Sequence, residues 1–355
     1  MSFEWNKYKV SNRLEIDSPV EYILIIPNQE KLLISYKSFI KIYNIKSLIL
    51  EGELKFDGIE KIEYLYLLNN GNISICTKNC IFLIALNADN TFKIIQKIEF
   101  PEIDEIDYKH IIELKNSNLC ILSKDKVFIY KFNSEDNLYK NILTFEEDYI
   151  QCEINKAINK CCIEIINPEA GIDNIIAVYL SNVSLLSFWD LNLKGKVNDT
   201  EDNYCNSYEE KDIFCLMNNG KYLLCTCIDE TISIYLTQIC QRIITLHDYN
   251  WHVSGLKISE NQILSGSDFG KITLYEFDFE HDYFKNKNDK KLNFEETKSV
   301  EKIVDIEIPE EFKKKKKKYG HTYRIVQIRK FEDTIISTSC YEKNNEFFVC
   351  FWNKE

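Results

Sequence analysis

The sequence predicts an all-β protein, a seven-bladed β-propeller in which similar four-stranded antiparallel sheets close into a ring. Three observations support this prediction. A β-type segment recurs seven times along the 355 residues, the apolar residues are of the kinds that favour strands, and an N-terminal segment is available to complete the last sheet. Apolar residues make up 45% of the chain, which is enough for a large core. Ile, Leu, Phe and Tyr dominate this fraction, and β-branched and aromatic side chains fit half-buried pleated surfaces.

The repeating unit has an apolar segment, a polar turn, a second apolar segment, a tight turn and a third segment that usually ends in an aromatic residue. Preceding segments such as Lys31–Ser35 and Tyr222–Thr226 imply hairpins, and Phe92–Phe100 and Gln241–Leu246 are candidate fourth strands. Two packed β-sandwiches would also supply many short strands, but they do not predict one unit repeated along the chain. The third segments are Phe39–Tyr43, Ile81–Ala85, Val127–Phe132, Val183–Asp190, Thr231–Tyr235, Lys271–Phe277 and Phe347–Trp352.

The spacing of the third segments predicts the blade boundaries. Successive copies start 40 to 76 residues apart, and the longer spacings contain polar insertions. The last copy ends close to Glu355, so we expect residues 3–16 to supply the outer strand of the last blade, which would leave no open end to the ring. The predicted single domain spans 1–355, with blades at 19–57, 58–103, 107–147, 148–207, 208–247, 251–309 and 320–355, and with flexible insertions at 198–212, 280–291 and 311–319.

Several segments resemble WD-repeat proteins, whose units open with Gly-His and end with Trp-Asp. Gly320-His321 matches the opening, Ile263–Ser267 with Gly270–Tyr275 matches the middle, and Trp189-Asp190 matches the ending. At the level of pattern, the resemblance covers nearly the whole chain. It implies a propeller that presents partner-binding loops on one face around a central channel.

The resemblance also implies a buried network that joins a His, a turn Asp, a hydroxyl of the preceding strand and the terminal Trp. In this chain most copies depart from that pattern. Asp229 occupies the turn position of the fifth unit, but Tyr235 stands where the Trp is expected. In the sixth unit Phe269 occupies the turn position and Asp268 is shifted by one. We therefore expect apolar packing between blades, and not repeated polar networks, to hold the ring together.

Composition and charge narrow the functional classes. The net charge of −12 argues against general binding to nucleic acid. The sequence shows no basic and apolar leader typical of a signal peptide and no apolar run long enough to cross a membrane, so we expect an intracellular protein, cytoplasmic or nuclear, without membrane insertion. The 13 cysteines lack the paired spacing of zinc fingers and are expected to be reduced and buried. We expect no metal and no cofactor.

The sequence predicts a non-enzymatic scaffold that binds other proteins, a subunit of an intracellular multiprotein complex that is monomeric on its own. Rigid blades leave the loops at their ends to present variable side chains. The predicted partner-binding residues are Asp229, Trp251, His252, Asp268, Lys313, Lys314, Lys315, Lys316, Lys317, Lys318, His321, Tyr323 and Arg324. An exposed Trp near an Arg would suit a binding hot spot, although Trp251 is equally compatible with the core between blades.

Two alternatives remain open at this stage. Some WD-repeat proteins resemble a protein methylester hydrolase, which would need His252 or His321 as the base, but the chain contains neither a Gly-x-Ser-x-Gly elbow nor a His-Glu-x-x-His pair. The run from Lys313 to Lys318 would suit a chromatin- or nucleic-acid-associated adaptor, and such binding would weaken steeply with salt. The same run is also compatible with a solvated loop.

Overall fold

The structure is a computed structural model, and it describes twenty-one segments of the chain. These are residues 7–16, 18–56, 58–100, 109–114, 117–123, 126–146, 161–166, 175–180, 185–190, 195–196, 208–209, 213–218, 221–227, 231–237, 240–247, 252–267, 271–280, 290–293, 300–307, 324–341 and 346–354. Apart from a short 3-10 turn at Pro27–Gln29, the secondary structure of these residues is β. The all-β prediction is therefore confirmed.

The described strands form seven sheets, numbered here in chain order. Sheet 1 contains β2 (Tyr22–Ile26), β3 (Lys31–Ser35), β4 (Phe39–Asn44) and β5 (Leu50–Lys55). Sheet 2 contains β6 (Ile62–Leu67), β7 (Ile73–Thr77), β8 (Cys80–Leu86) and β9 (Phe92–Glu99). Sheet 3 contains β10 (Lys109–Glu113), β11 (Leu119–Ser123), β12 (Lys126–Asn133) and β13 (Leu138–Glu146).

The remaining sheets follow the same antiparallel order. Sheet 4 contains β14 (Cys161–Ile166), β15 (Ile175–Leu180), β16 (Leu185–Asp190), β17 (Gly195–Lys196) and β18 (Tyr208–Glu209). Sheet 5 contains β19 (Ile213–Asn218), β20 (Tyr222–Cys227), β21 (Thr231–Leu236), β22 (Gln241–His247) and β26 (Lys290–Asn293). Sheet 6 contains β23 (His252–Lys257), β24 (Gln262–Ser267), β25 (Lys271–Phe277) and β27 (Val300–Glu307). Sheet 7 contains β28 (Arg324–Phe331), β29 (Thr334–Tyr341), β30 (Glu346–Lys354) and β1 (Tyr8–Ile16).

The first strands of the sheets contact one another in a closed cycle. β2 contacts β6, β6 contacts β10, and the series continues through β14, β19, β23 and β28 back to β2. The first strands therefore surround a common axis, and the sheets radiate from it as the antiparallel blades of a propeller. Hydrophobic clusters fill the space between neighbouring sheets. One such cluster joins Leu33 and Ile42 of sheet 1 to Leu65, Ile73 and Ile75 of sheet 2.

The N-terminal strand completes the last sheet, as predicted for residues 3–16. Tyr8–Ile16 pairs antiparallel with Glu346–Lys354, from Tyr8 opposite Lys354 to Ile16 opposite Phe347. Residues 3–6 of the predicted closing strand lie outside the described residues. The pairing joins the two ends of the described chain within one sheet.

Each sheet has two ends with different connections. The turn from the first to the second strand and the turn from the third to the fourth strand lie at one end, which we call the turn face. The hairpin from the second to the third strand and the connection to the next sheet lie at the other end, the connection face. This division follows from the up-and-down order of the strands.

A recurring irregularity lies near the end of the third strand in six of the seven described sheets, at or beside an aromatic residue in five of them. The pairing of third and fourth strands shifts register at Tyr43, Ile84, Tyr130, Tyr235 and Tyr275, and in sheet 7 it shifts beside Trp352. Such a shift is the signature of a β-bulge, which increases the local twist of the sheet. The repeat predicted from sequence therefore recurs in the structure at the level of single residues.

The polar network expected from the WD-repeat resemblance is partly present in sheet 7. Trp352 Nε1 donates a hydrogen bond of 2.8 Å to Ser337 Oγ, and both residues are fully buried. The positions that correspond to Ser337 in the first three sheets hold Ile34, Ile75 and Ile121, all fully buried. Apolar packing replaces the hydroxyl there, in line with the departures seen in the sequence.

The prediction of four-stranded antiparallel sheets is correct for five sheets and wrong in detail for two. In sheet 4, the outer position is shared by β17 and β18, which pair with opposite ends of β16. In sheet 5, β26 adds a fifth strand parallel to β22, because the chain leaves sheet 6 after β25 and returns to it only at β27. Both β18 and β26 overlap segments predicted as insertions, most of whose other residues lie outside the described part of the chain.

Candidate functional site

In sequence, the predicted partner-binding residues fall at or between strand ends that the structure describes at one end of the ring. The described strand ends that flank them all lie at the connection face, namely the facing ends of β20 and β21, β22 and β23, β24 and β25, and β27 and β28. His252 begins β23 and Arg324 begins β28. The other predicted residues, Asp229, Trp251, Asp268, Lys313 to Lys318, His321 and Tyr323, lie outside the described residues.

A row of aromatic and cationic side chains joins the first strands of four sheets. We call Arg329, Tyr22, Tyr64 and His110 the inner row; they come from sheets 7, 1, 2 and 3 in turn. Arg329 donates a 2.5 Å hydrogen bond to the Tyr22 hydroxyl, and its guanidinium carbon lies 5.0 Å from the centre of the Tyr22 ring. The row therefore crosses three boundaries between sheets close to the ring axis.

The rings of the inner row are in direct contact. The centres of the Tyr22 and Tyr64 rings are 4.5 Å apart, and those of Tyr64 and His110 are 4.3 Å apart in an edge-to-face arrangement. These separations are short for aromatic pairs, which favour edge-to-face and offset geometries. All four side chains are half-buried.

Burial favours the neutral forms of two members of the inner row, His110 and Tyr64. Desolvation, with a further contribution from the Arg329 charge, lowers the pKa of His110 to about 4. Desolvation raises the pKa of the Tyr64 hydroxyl well above its usual value, and Tyr22 adds to that increase. At neutral pH the Arg329 guanidinium thus lies in a row with a neutral His110 imidazole and a neutral Tyr64 phenol, an arrangement suited to rigid packing and hydrogen bonding.

Polar contacts tie sheets 1 and 2 together at the connection face. Lys61 Nζ lies 3.3 Å from Glu21 Oε2, which joins the residues that precede β6 and β2. The backbone N–H of Ile62 donates a 2.7 Å hydrogen bond to the carbonyl of Lys37, in the exposed hairpin of sheet 1. The hairpin and the first strand of the next sheet are therefore fixed relative to each other.

Glutamine and glutamate side chains also clamp the backbone of neighbouring sheets. Gln327 of sheet 7 accepts a 2.8 Å hydrogen bond from Ile23 N–H and donates one of 3.0 Å to Glu21 C=O. Glu113 of sheet 3 accepts a 2.6 Å hydrogen bond from the backbone N–H of Asn69 in sheet 2. These contacts satisfy buried or half-buried backbone groups at the junctions between sheets.

Sequence reasoning did not identify the inner row or these clamps. Its site residues came from the WD-repeat resemblance, which is strongest after residue 250, whereas the inner row lies mainly in sheets 1 to 3. One signal was present in the sequence: Tyr22, Tyr64 and His110 each fall within the first three residues of a first strand. A search for aromatic residues at that position of the repeat would have found them.

The cysteines whose side chains the structure describes are structural. Cys76, Cys80, Cys120, Cys225, Cys240 and Cys350 are free and buried, as predicted. Burial raises the pKa of the Cys350 thiol to about 12 and raises that of Cys120 further still, so both remain protonated. Within the described segments, no group of three or more His, Cys, Asp or Glu side chains is placed to hold a metal ion.

Helical structure is sparse in the residues that the structure describes. Among them, no helix has both the length and the apolar character needed to cross a bilayer.

Comparison with known proteins identifies the fold. No protein-family model matches the sequence, and no curated protein matches it. Among solved structures, Raptor from Chaetomium thermophilum matches with a TM-score of 0.67 and 8% identity, over 98% of this chain and 29% of the Raptor chain. The RRP9 WD40 repeats match with a TM-score of 0.66 and 9% identity, over 97% of this chain and 99% of that one.

The two matches have different extents. This chain spans less than a third of the Raptor chain but nearly the whole of the RRP9 repeat structure. At these low identities a structural likeness establishes the fold alone. Together with the cycle of first strands and the antiparallel sheets, it shows that this chain has the fold of a WD40-type β-propeller.

Proposed function

We propose that this protein is a non-enzymatic scaffold that binds partner proteins at its connection face, as a subunit of an intracellular complex. The seven sheets are the seven blades of a single domain over residues 1–355, which is monomeric on its own. The observation that carries the proposal is the closed cycle of first strands, joined by the pairing of β1 with β30. A closed ring holds the loops at its ends in fixed relative positions, which suits recognition of an extended partner surface.

The contacts between sheets support a rigid frame. The inner row, the Gln327 clamp and the Lys61–Glu21 pair all join different sheets close to the connection face or the axis. Preorganised surfaces bind with a smaller loss of conformational entropy than mobile ones. The frame therefore favours a stable interaction platform.

The partner-binding residues of the proposal are those predicted from sequence. Trp251 and Arg324 supply the large contact side chains, since Trp and Arg are enriched among residues that dominate binding energy. His252, Asp229, Asp268, His321 and Tyr323 are the further contact residues of the proposal, and the run from Lys313 to Lys318 favours an acidic partner surface.

Affinity purification of the tagged full-length chain from native extract tests the proposal. We expect a reproducible set of co-purifying proteins that is lost in Trp251→Ala and in Arg324→Ala. Ile94→Ala is a matched control, because Ile94 is a large apolar residue with 47% of its surface exposed on the outer strand β9. Loss of the set in the control alone, or its retention in both connection-face variants, would disprove binding at the connection face.

A further inference from the structure

A small cavity lies on the turn face where sheets 1 and 7 meet. Its volume is about 170 Å³, and its apolar walls come from Ile45, Leu48, Phe331 and Phe351. Ile45, Phe331 and Phe351 are buried members of the hydrophobic cluster between these two sheets. The cavity thus opens from the protein surface directly onto the core at the junction closed by β1.

The polar wall of the cavity is held in place by its own hydrogen bonds. Thr334 Oγ1 donates a 2.6 Å hydrogen bond to Asn353 Oδ1, and Asn353 Nδ2 donates one of 2.9 Å to Ser11 Oγ. Ser11 in turn donates to the carbonyl of Phe351 at 3.2 Å. Because each of these side chains is engaged with the next, the wall keeps its shape without an occupant.

The charged rim has an excess of acidic groups. Lys46 Nζ lies 2.6 Å from Glu30 Oε1 and 3.9 Å from Glu332 Oε1. Glu332 lines the cavity, and its side chain is 65% exposed. Lys46 is thus engaged mainly by Glu30, which leaves Glu332 as a negative group on the rim that is accessible to a cationic group.

Leu48 gives the cavity its apolar lip in an unusual backbone conformation. Its φ angle is +58°, in the left-handed region, where the equivalent turns of sheets 2, 3 and 5 place Asn90, Asn137 and Cys240. Asn adopts this region far more readily than Leu. The next two residues, Ile49 and Leu50, are 64% and 49% exposed, so the lip continues as an apolar surface. A left-handed Leu48 costs conformational energy, and the exposed Ile49 and Leu50 leave apolar surface in water. This combination at a solvent-exposed turn favours a role in recognition of a partner.

We propose that this cavity binds a segment of a partner protein that inserts one apolar side chain and places a Lys or Arg beside it, against Glu332. A cavity of about 150 Å³ can hold a benzene-sized group, so one aliphatic or aromatic side chain matches the available space. Ile49 and Leu50 contact the residues that flank the inserted side chain. The site lies at the opposite end of the ring from the connection face, so it goes beyond the proposed function and does not depend on it.

A phage-displayed library of random 12-residue peptides, selected on the immobilised full-length chain, supplies the probe. The enriched peptide is synthesised and its Kd measured by fluorescence anisotropy with the wild type and three variants. Leu48→Gly removes the lip while relaxing the backbone, since Gly adopts a positive φ readily. Glu332→Gln removes rim charge, and Asn137→Gly is the matched control at the equivalent turn of sheet 3, with φ +57°.

We expect enriched peptides with an apolar residue next to Lys or Arg. Leu48→Gly should weaken binding about tenfold and Glu332→Gln about threefold, with no change in Asn137→Gly. Three outcomes overturn the proposal: no enrichment, an enriched peptide that binds Leu48→Gly as tightly as the wild type, or a consensus without the basic residue. The wild type is also tested for self-association. If it self-associates and Leu48→Gly abolishes this, the cavity binds a second copy of this chain, and the proposal of a partner segment is overturned. Whether the cavity binds the peptide or not, binding of the co-purified partners at the connection face should be unaffected.

Discussion

Replacing His110 with Phe is expected to reduce the loss of folding stability that the protein undergoes between pH 8 and pH 5. The pKa of His110 in the folded protein is about 4, against 6.5 for an unperturbed His. As the pH falls below about 6.5 the unfolded chain takes up a proton at His110, while the folded chain remains neutral until about pH 4. The stability contributed by neutral His110 is therefore full above pH 6.5 and is lost progressively toward pH 4.

The magnitude follows from the two pKa values. At pH 5 nearly all of the unfolded chain but only a small part of the folded chain carries the proton, which corresponds to about 2 kcal/mol of lost stability relative to pH 8. Phe is a suitable replacement because its ring keeps the edge-to-face contact with Tyr64, at 4.3 Å in the wild type, and cannot be protonated. The wild type should thus lose about 2 kcal/mol more than His110→Phe over this interval.

Urea denaturation of both proteins at pH 8 and pH 5 measures this difference. The other titrating groups are the same in both chains, so their contributions cancel in the comparison. A second measurement follows the His110 imidazole resonance by NMR, which should titrate well below the range of exposed histidines. Equal losses of stability in the two proteins, or an imidazole that titrates near pH 6.5, would refute the reasoning.

Three further predictions concern the frame and the charge run. Ser337→Ala should lower the free energy of unfolding by about 1 to 3 kcal/mol, because it leaves the buried Trp352 N–H without its acceptor. In a Trp352→Phe background, which has no such N–H, the same substitution should cost less. An equal cost in the two backgrounds would contradict this prediction. Gln327→Leu should reduce hydrogen-exchange protection of the Ile23 amide, and unchanged protection would exclude the clamp. Replacing Lys313 to Lys318 with Ser should weaken capture of an acidic partner, while the wild type should show little binding to random duplex DNA in fluorescence anisotropy. Tight DNA binding that falls steeply with salt would favour the nucleic-acid alternative.

The strand repeat and the closure of the ring could be predicted because they depend on local patterns. Alternation and, in most copies, a terminal aromatic residue mark the third strands, and Tyr235 and Trp352 occupy equivalent register positions as the sequence suggested. Contacts between sheets could not be predicted in the same way. Gln327 clamps residues 21 and 23 across a separation of about 300 positions, and no local pattern distinguishes it from other glutamines.

The extra strands and the turn-face cavity were missed for related reasons. The pairing of β26 with β22 depends on where a long insertion leads the chain in space, and its short sequence, which holds two lysines and an asparagine, has no strand signal. The cavity depends on the fit between two turns that lie far apart in sequence. Leu48 carries no sign in the sequence that its backbone adopts a left-handed conformation.

The pairing of β1 with β30 has a consequence for biosynthesis. Ser11 and Phe351 contact each other although 340 positions separate them, so a ribosome must extend the chain through nearly all of its length before β1 meets its partner. Domains form as units during translation, and contacts with large sequence separation form slowly. In the nascent chain, β1 therefore has no strand to pair with through most of synthesis. A molecular chaperone that shields the unpaired edge of β1 would raise the yield of folded protein.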